Sequence, residues 1–140
     1  MSAFAAELIA EPQAISALTE RVAEFLAACG VDARATHHMA LVLDELLTNV
    51  ATHSEAGEAP VSINVKVLPD RVSAEVLDQG AMFDPRSAPV PDLSVGVEER
   101  PIGGLGLLLV QRITDGLVYE RAGDHNRTTF SICRTSDHEA

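Results

Sequence analysis

The run Val61-Ser62-Ile63-Asn64-Val65-Lys66-Val67 alternates apolar and polar residues, and Val72, Ala74 and Val76 resume the alternation after Leu68-Pro69-Asp70-Arg71. A period of two marks a strand with one buried face. The proline and aspartate between the two runs favour a turn. Together they predict a hairpin, so the chain must be built around antiparallel pairing. Any architecture has to accommodate that sheet.

The flanking segments have other periods. Residues 3–9 alternate weakly, with Phe4, Ala6 and Leu8 against Ala5, Glu7 and Ile9, and predict an edge strand. Pro12 suits the first turn of a helix carrying Ile15, Leu18, Val22, Phe25 and Leu26, which Cys29-Gly30 ends with Gly30 as a left-handed cap. A second helix is predicted from about Asp32, its N-cap, to His53. Residues 81–102 hold Pro85, Pro89, Pro91 and Pro101 and few periodic apolar positions, which predicts a long loop of the kind that often serves as a lid. A third helix should start near Gly104–Leu105 and stop at Asp115-Gly116. Two short strands, about 117–121 and 128–134, would enclose Gly123-Asp124, with Ser136 to Ala140 as a frayed tail. Consecutive hairpins flanked by helices favour an α+β fold. The expected form is a two-layer α/β sandwich, its mixed, mostly antiparallel sheet covered on one face by three helices.

Composition narrows the function. A chain of 140 residues, 46% of them hydrophobic, is most simply one domain spanning 1–140 with an ordinary core. Ten Lys plus Arg against 21 Asp plus Glu give a net charge of −11, which argues against direct nucleic-acid binding. Any bound polyphosphate must therefore be neutralised locally. No apolar run approaches a membrane span and no basic region precedes an apolar stretch, so a cytoplasmic location is expected. Cys29 and Cys133 lack metal-type spacing, and each is expected to be a buried structural thiol.

Three stretches carry chemistry. On the second helix, Met39, Val42, Leu43, Leu46 and Val50 form one stripe, and Glu45, Asn49 and His53 run along its flank at intervals of four. A carboxylate there can take a proton from a hydroxyl, and an amide oxygen is a hard ligand suited to Mg²⁺. Adjacent His37 and His38 point about 100° apart on a helix and cannot chelate zinc together. Asp78 continues the inward parity of Val72, Ala74 and Val76, so it needs a donor, for which an adenine amino group, an arginine and a backbone N–H are all candidates. Gly80 permits close backbone approach. Gly103-Gly104-Leu105-Gly106 can converge N–H groups on an anion at a helix start, yet it matches neither the P-loop nor the dinucleotide fingerprint. Taken singly, the three stretches also read as a solvated helix edge, a turn aspartate and a loop-to-helix joint.

The order Glu-x-x-x-Asn, Asp-x-Gly, Gly-Gly-Leu-Gly-Leu resembles the ATPase superfamily shared by gyrase, the ninety-kilodalton chaperone, histidine kinases and MutL. Within it, the chain is similar to the anti-sigma factor serine/threonine kinases of bacterial partner-switching systems. "LVLDELLTNVATHS" from Leu41, "DQGAMFDP" from Asp78, "GGLGLLLVQRITD" from Gly103 and "NRTTFSI" from Asn126 carry that likeness. It implies the histidine-kinase-like ATPase fold, ATP and Mg²⁺ as ligands, and a lid at about 81–104. Glu45 would be the general base and Asn49 the Mg²⁺ ligand. Asp78 would take the adenine amine, with Gly80 making room for the ring. Gly103, Gly104 and Gly106 would form the lid hinge and phosphate turn, with Leu105 and Leu107 packed beside them. Thr128 would approach adenine, although Arg127 stands where many relatives have glycine. The resemblance further implies a small anti-sigma-antagonist protein as phosphoacceptor, a sigma factor as second partner, and a homodimer. The alternatives are a nucleotide-binding sequestration module without kinase activity and a stand-alone ATP hydrolase.

Overall fold

The computed structural model describes residues 2–53, 59–80 and 104–134. The segment expected to form the lid, Gly103 and the tail from Ser136 lie outside the described residues. In chain order the elements are β1 (Ser2–Leu8), α1 (Pro12–Ala28), α2 (Ala33–His53), β2 (Val61–Val67), β3 (Arg71–Asp78), α3 (Gly104–Ile113), β4 (Asp115–Ala122) and β5 (His125–Cys133). The five strands form one sheet in the order β1-β2-β3-β5-β4. All four pairings are antiparallel, so among the described residues the sheet has no parallel pair.

Local sequence explains most of the boundaries. Pro12 opens α1 at a position whose N–H would have no partner. Gly30, at φ 79°, closes it. There the Gly30 N–H donates to the Ala27 carbonyl at 3.1 Å and the Val31 N–H to that of Leu26 at 3.0 Å. This is a Schellman cap, and the apolar pair that accompanies such caps, Leu26 and Val31, is buried. One residue later the Ala35 N–H donates to Asp32 Oδ2 at 3.1 Å, capping α2 as expected.

One core joins the two layers. It takes Ile15, Leu18, Val22 and Leu26 from α1, Met39, Val42, Leu43, Leu46 and Leu47 from α2 and Val110 from α3. The sheet contributes Val61, Ile63, Val65, Val72, Ala74, Val76, Phe130 and Ile132, each from the inward parity of its strand. Each fully buried aliphatic side chain adds about 1.5–3 kcal/mol. Leu47 lies outside the predicted stripe yet is fully buried, whereas Val50 is only half-buried. The apolar sector of α2 is wider than one stripe because the helix packs on α1, on α3 and on β3 and β5.

Three expectations need correction. The last hairpin is longer than predicted, with His125 opposite Ala122 across a two-residue turn and Gly123 at φ 63°. That turn has glycine first, as a type II′ turn requires. Polar residues 125–127 disguise the start of β5. The strand β4 also starts earlier, at Asp115, where a register shift between Asp115 and Val118 accommodates Gly116 at φ 61° as a bulge. Cys133 is exposed, not buried, because it follows buried Ile132 and faces outward. Its Sγ donates to Asp115 Oδ2 at 3.1 Å, and that bond raises the thiol pKa and keeps it protonated. Cys29 is half-buried against the core. No helix among the described residues is long and apolar enough to cross a membrane.

Candidate functional site

Asp78 ends β3 on the inward face, at 7% exposure. A carboxylate at such a position is costly unless donors reach it. Two do, and both reach the same oxygen. The Gly80 N–H donates to Oδ2 at 3.0 Å, and Asn126 Nδ2 donates to Oδ2 at 3.0 Å from the register position directly across on β5. Among the described residues, Oδ1 accepts no hydrogen bond. Gly80 is itself buried, with its carbonyl held by Arg121 Nη1 at 2.6 Å.

Thr128 is buried two residues further along the inward face of β5, opposite Val76 and Tyr119. Arg127, at the position where the resemblance leads one to expect glycine, points the other way. Its Nε donates to Glu75 Oε2 at 2.6 Å on the outer face of the sheet. The larger side chain therefore stays out of the face that Thr128 shares with Asp78. Sequence reasoning assigned nothing to Asn126, Tyr119 or Arg121. The available signal was parity, since Asn126 is an amide in line with the core residues Phe130 and Ile132.

The helix flank lies on the same side of the sheet. Glu45 is half-buried, and among the described residues its carboxylate has no hydrogen-bond or ion-pair partner. Burial raises its pKa above the usual glutamate value, and the neighbouring Asp44 charge adds to the shift. The carboxylate lies against the α-carbon of Gly106. A methyl group at residue 106 would sit 2.6 Å from Glu45 Cδ and 3.2 Å from Oε1. A side chain at residue 106 would therefore displace the Glu45 carboxylate, the movable end of a flexible side chain, and Gly106 leaves it room.

Asn49, one turn beyond Glu45, is 7% exposed. Its Nδ2 donates to the Glu45 carbonyl at 2.8 Å, and among the described residues Oδ1 accepts no hydrogen bond. A hard oxygen held in this way fits Mg²⁺, which keeps waters and substrate phosphates and needs few protein ligands. Gly104 is the first residue of α3, and Leu105 and Leu107 fall within its first turns; the side chains of these two leucines, like that of His53, lie outside the described residues.

A model of the histidine kinase-like ATPase domain matches residues 8–132. The chain belongs to this ATPase domain family. The histidine kinase-like ATPase domain here is 31% identical over 101 residues to the serine/threonine-protein kinase BtrW of Bordetella bronchiseptica, covering 71% of each chain. It is 29% identical over 115 residues to the serine-protein kinase RsbW of Listeria monocytogenes, covering 78% of this chain and 73% of that one. Among solved structures, the RsbU and RsbW domains of Rv1364c from Mycobacterium tuberculosis match with a TM-score of 0.70 at 14% identity, over 97% of this chain and 34% of theirs. The blue-light activated histidine kinase EL346 of Erythrobacter litoralis gives 0.55 at 16% identity, over 90% of this chain and 43% of its own. At such identities the structural likeness speaks for the fold alone.

Proposed function

We propose that this ATPase-family domain is a serine/threonine protein kinase that transfers the γ-phosphoryl of ATP to a small anti-sigma-antagonist protein in a bacterial partner-switching system. The observation that carries the reading is Glu45, a half-buried carboxylate with a raised pKa and no hydrogen-bond or ion-pair partner among the described residues, seated on Gly106 one turn from Asn49. The names of the two curated relatives, both kinases acting on serine or threonine, support it.

In this mechanism Asp78 Oδ1 accepts the adenine amine and Gly80 leaves space for the ring. Thr128 lines the same side. Glu45 orients the attacking hydroxyl in line and accepts its proton as the new oxygen–phosphorus bond forms and the bond from the γ-phosphorus to the β,γ-bridging oxygen breaks, with ADP as the leaving group. The Asn49 carboxamide oxygen would hold Mg²⁺, which would neutralise phosphate charge when bound. Gly104 and Gly106 give α3 a start with no side chains in the way of the phosphates. The whole of 1–140 works as one cytoplasmic domain, as a homodimer that binds the antagonist and a sigma factor in turn. Phosphorylation adds negative charge to an antagonist facing a chain of net charge −11, and so releases it.

The direct test supplies labelled ATP and Mg²⁺ to the protein together with antagonist-like proteins captured from the native cell, and maps the modified residue. Label on a serine or threonine of a captured protein supports the kinase. Binding of ATP and partner with no transfer to any of them refutes it, in favour of sequestration.

Gly106→Ala separates contact from helix propensity. Alanine ordinarily gains about 0.5–1 kcal/mol over glycine inside a helix. Here its methyl meets Glu45, so transfer should fall by about tenfold or more although the melting temperature is kept or raised. Wild-type transfer in the alanine variant would show that Glu45 need not sit on residue 106.

A further inference from the structure

Asn126 is 3% exposed, and a buried amide must be satisfied at both ends. Its Oδ1 accepts from the Tyr119 hydroxyl and from Arg121 Nη1, the latter at 3.1 Å. Its Nδ2 donates to Asp78 Oδ2 at 3.0 Å and reaches the Gly80 carbonyl at 3.5 Å. The orientation is fixed by chemistry. Arginine has only donors and a carboxylate only acceptors, so a flipped amide would set N–H against guanidinium and oxygen against carboxylate. The same arginine holds the Gly80 carbonyl at 2.6 Å, so both groups that touch Asp78 Oδ2 are anchored from β4.

We propose that Asn126 is a specificity-determining positioning residue: by occupying Asp78 Oδ2 it leaves one open acceptor, so the pocket takes a base presenting a single exocyclic amine and rejects guanine. Guanine offers two parallel donors, its ring N–H and its amino group, which a carboxylate matches only with both oxygens. Adenine offers one amine donor beside a ring acceptor, which one free oxygen suits. The second donor on Oδ2 also stops the carboxylate from rotating to present its other edge. Tyr119 and Arg121 act at one remove, by holding the amide. This role rests on the nucleotide reading above and adds base selectivity to it.

The test is calorimetric titration of ATP and GTP into the wild type, Asn126→Ala and Tyr119→Phe, with thermal melts alongside. The wild type should prefer ATP by at least about 100-fold, because a site built for one hydrogen-bonding pattern rejects another strongly. In Asn126→Ala the ratio of the two affinities should fall about tenfold or more, whereas general loosening of the site would weaken both ligands together. Tyr119→Phe keeps the buried amide and removes one donor to it; it should move the ratio in the same direction by less, and it carries the test if the alanine variant does not fold. Asn126→Asp adds a pH signature. At neutral pH it sets two carboxylates together and weakens ATP; as pH falls they share a proton, a donor returns, and ATP affinity recovers while that of the wild type does not. An unchanged ATP-to-GTP ratio in folded variants overturns the role of Asn126 alone. A wild type that binds no adenine nucleotide overturns the nucleotide reading and this role with it.

Discussion

Glu45→Gln is expected to cut phosphoryl transfer by about 10²–10⁴-fold, the usual contribution of a positioned general base. ATP affinity should hardly move, because in the proposed mechanism the carboxylate meets the acceptor hydroxyl and Asp78 makes the base contact. The pH dependence gives a second readout. Transfer needs the ionised form, and burial together with Asp44 raises the Glu45 pKa. Activity should therefore fall with decreasing pH at a higher value than an ordinary glutamate, near 4.3, would set. Glutamine should abolish that acid limb. Stability should respond in the opposite sense. An acid whose folded pKa is raised favours the fold when protonated, and that advantage is lost as pH rises through the folded pKa. At neutral pH the glutamine variant should thus melt no lower than the wild type, and any gain should fade toward acid. A variant that transfers phosphate at the wild-type rate would end the assignment.

Asp78→Asn should weaken ATP by about 10- to 150-fold, the equivalent of losing a hydrogen bond to a charged group worth about 1.5–3 kcal/mol. The fold should survive. An asparagine oxygen can still accept from the Gly80 N–H and from Asn126 Nδ2, which reach Asp78 Oδ2 at 3.0 Å each. Its amide nitrogen must then take the position of Oδ1, so a donor faces the incoming amine. The expected kinetic signature is a raised KM for ATP with kcat at saturation much less affected. Unchanged affinity by calorimetry would remove Asp78 from the base contact.

Much of the architecture could be read in the sequence because it rests on local signals. The 61–67 and 72–76 alternation, Pro12, Gly30 and Asp32 each act within a few residues, and the elements follow them. Strand parity likewise put Asp78 on the buried face, and helical spacing put Glu45 and Asn49 on one flank. The features that were missed depend on pairing at long range. Asn126 meets Asp78 across 48 positions of chain, and Arg121 meets Gly80 across 41. Parity turns Asn126 inward but does not say which residue it meets, and polar residues 125–127 broke the pattern that would have marked the start of β5. The width of the buried sector on α2 was hidden for a similar reason, since the helix packs on α1, on α3 and on β3 and β5.

The contact between Glu45 and Gly106 ties two distant positions into one unit. Neither can change freely: any side chain at residue 106 takes the space of the carboxylate, and a shorter acid at residue 45 withdraws from it. Substitutions at the two sites should therefore fail to add, with Glu45→Asp partly relieving the damage of Gly106→Ala. In a lineage that alters one, the other is where compensation should appear.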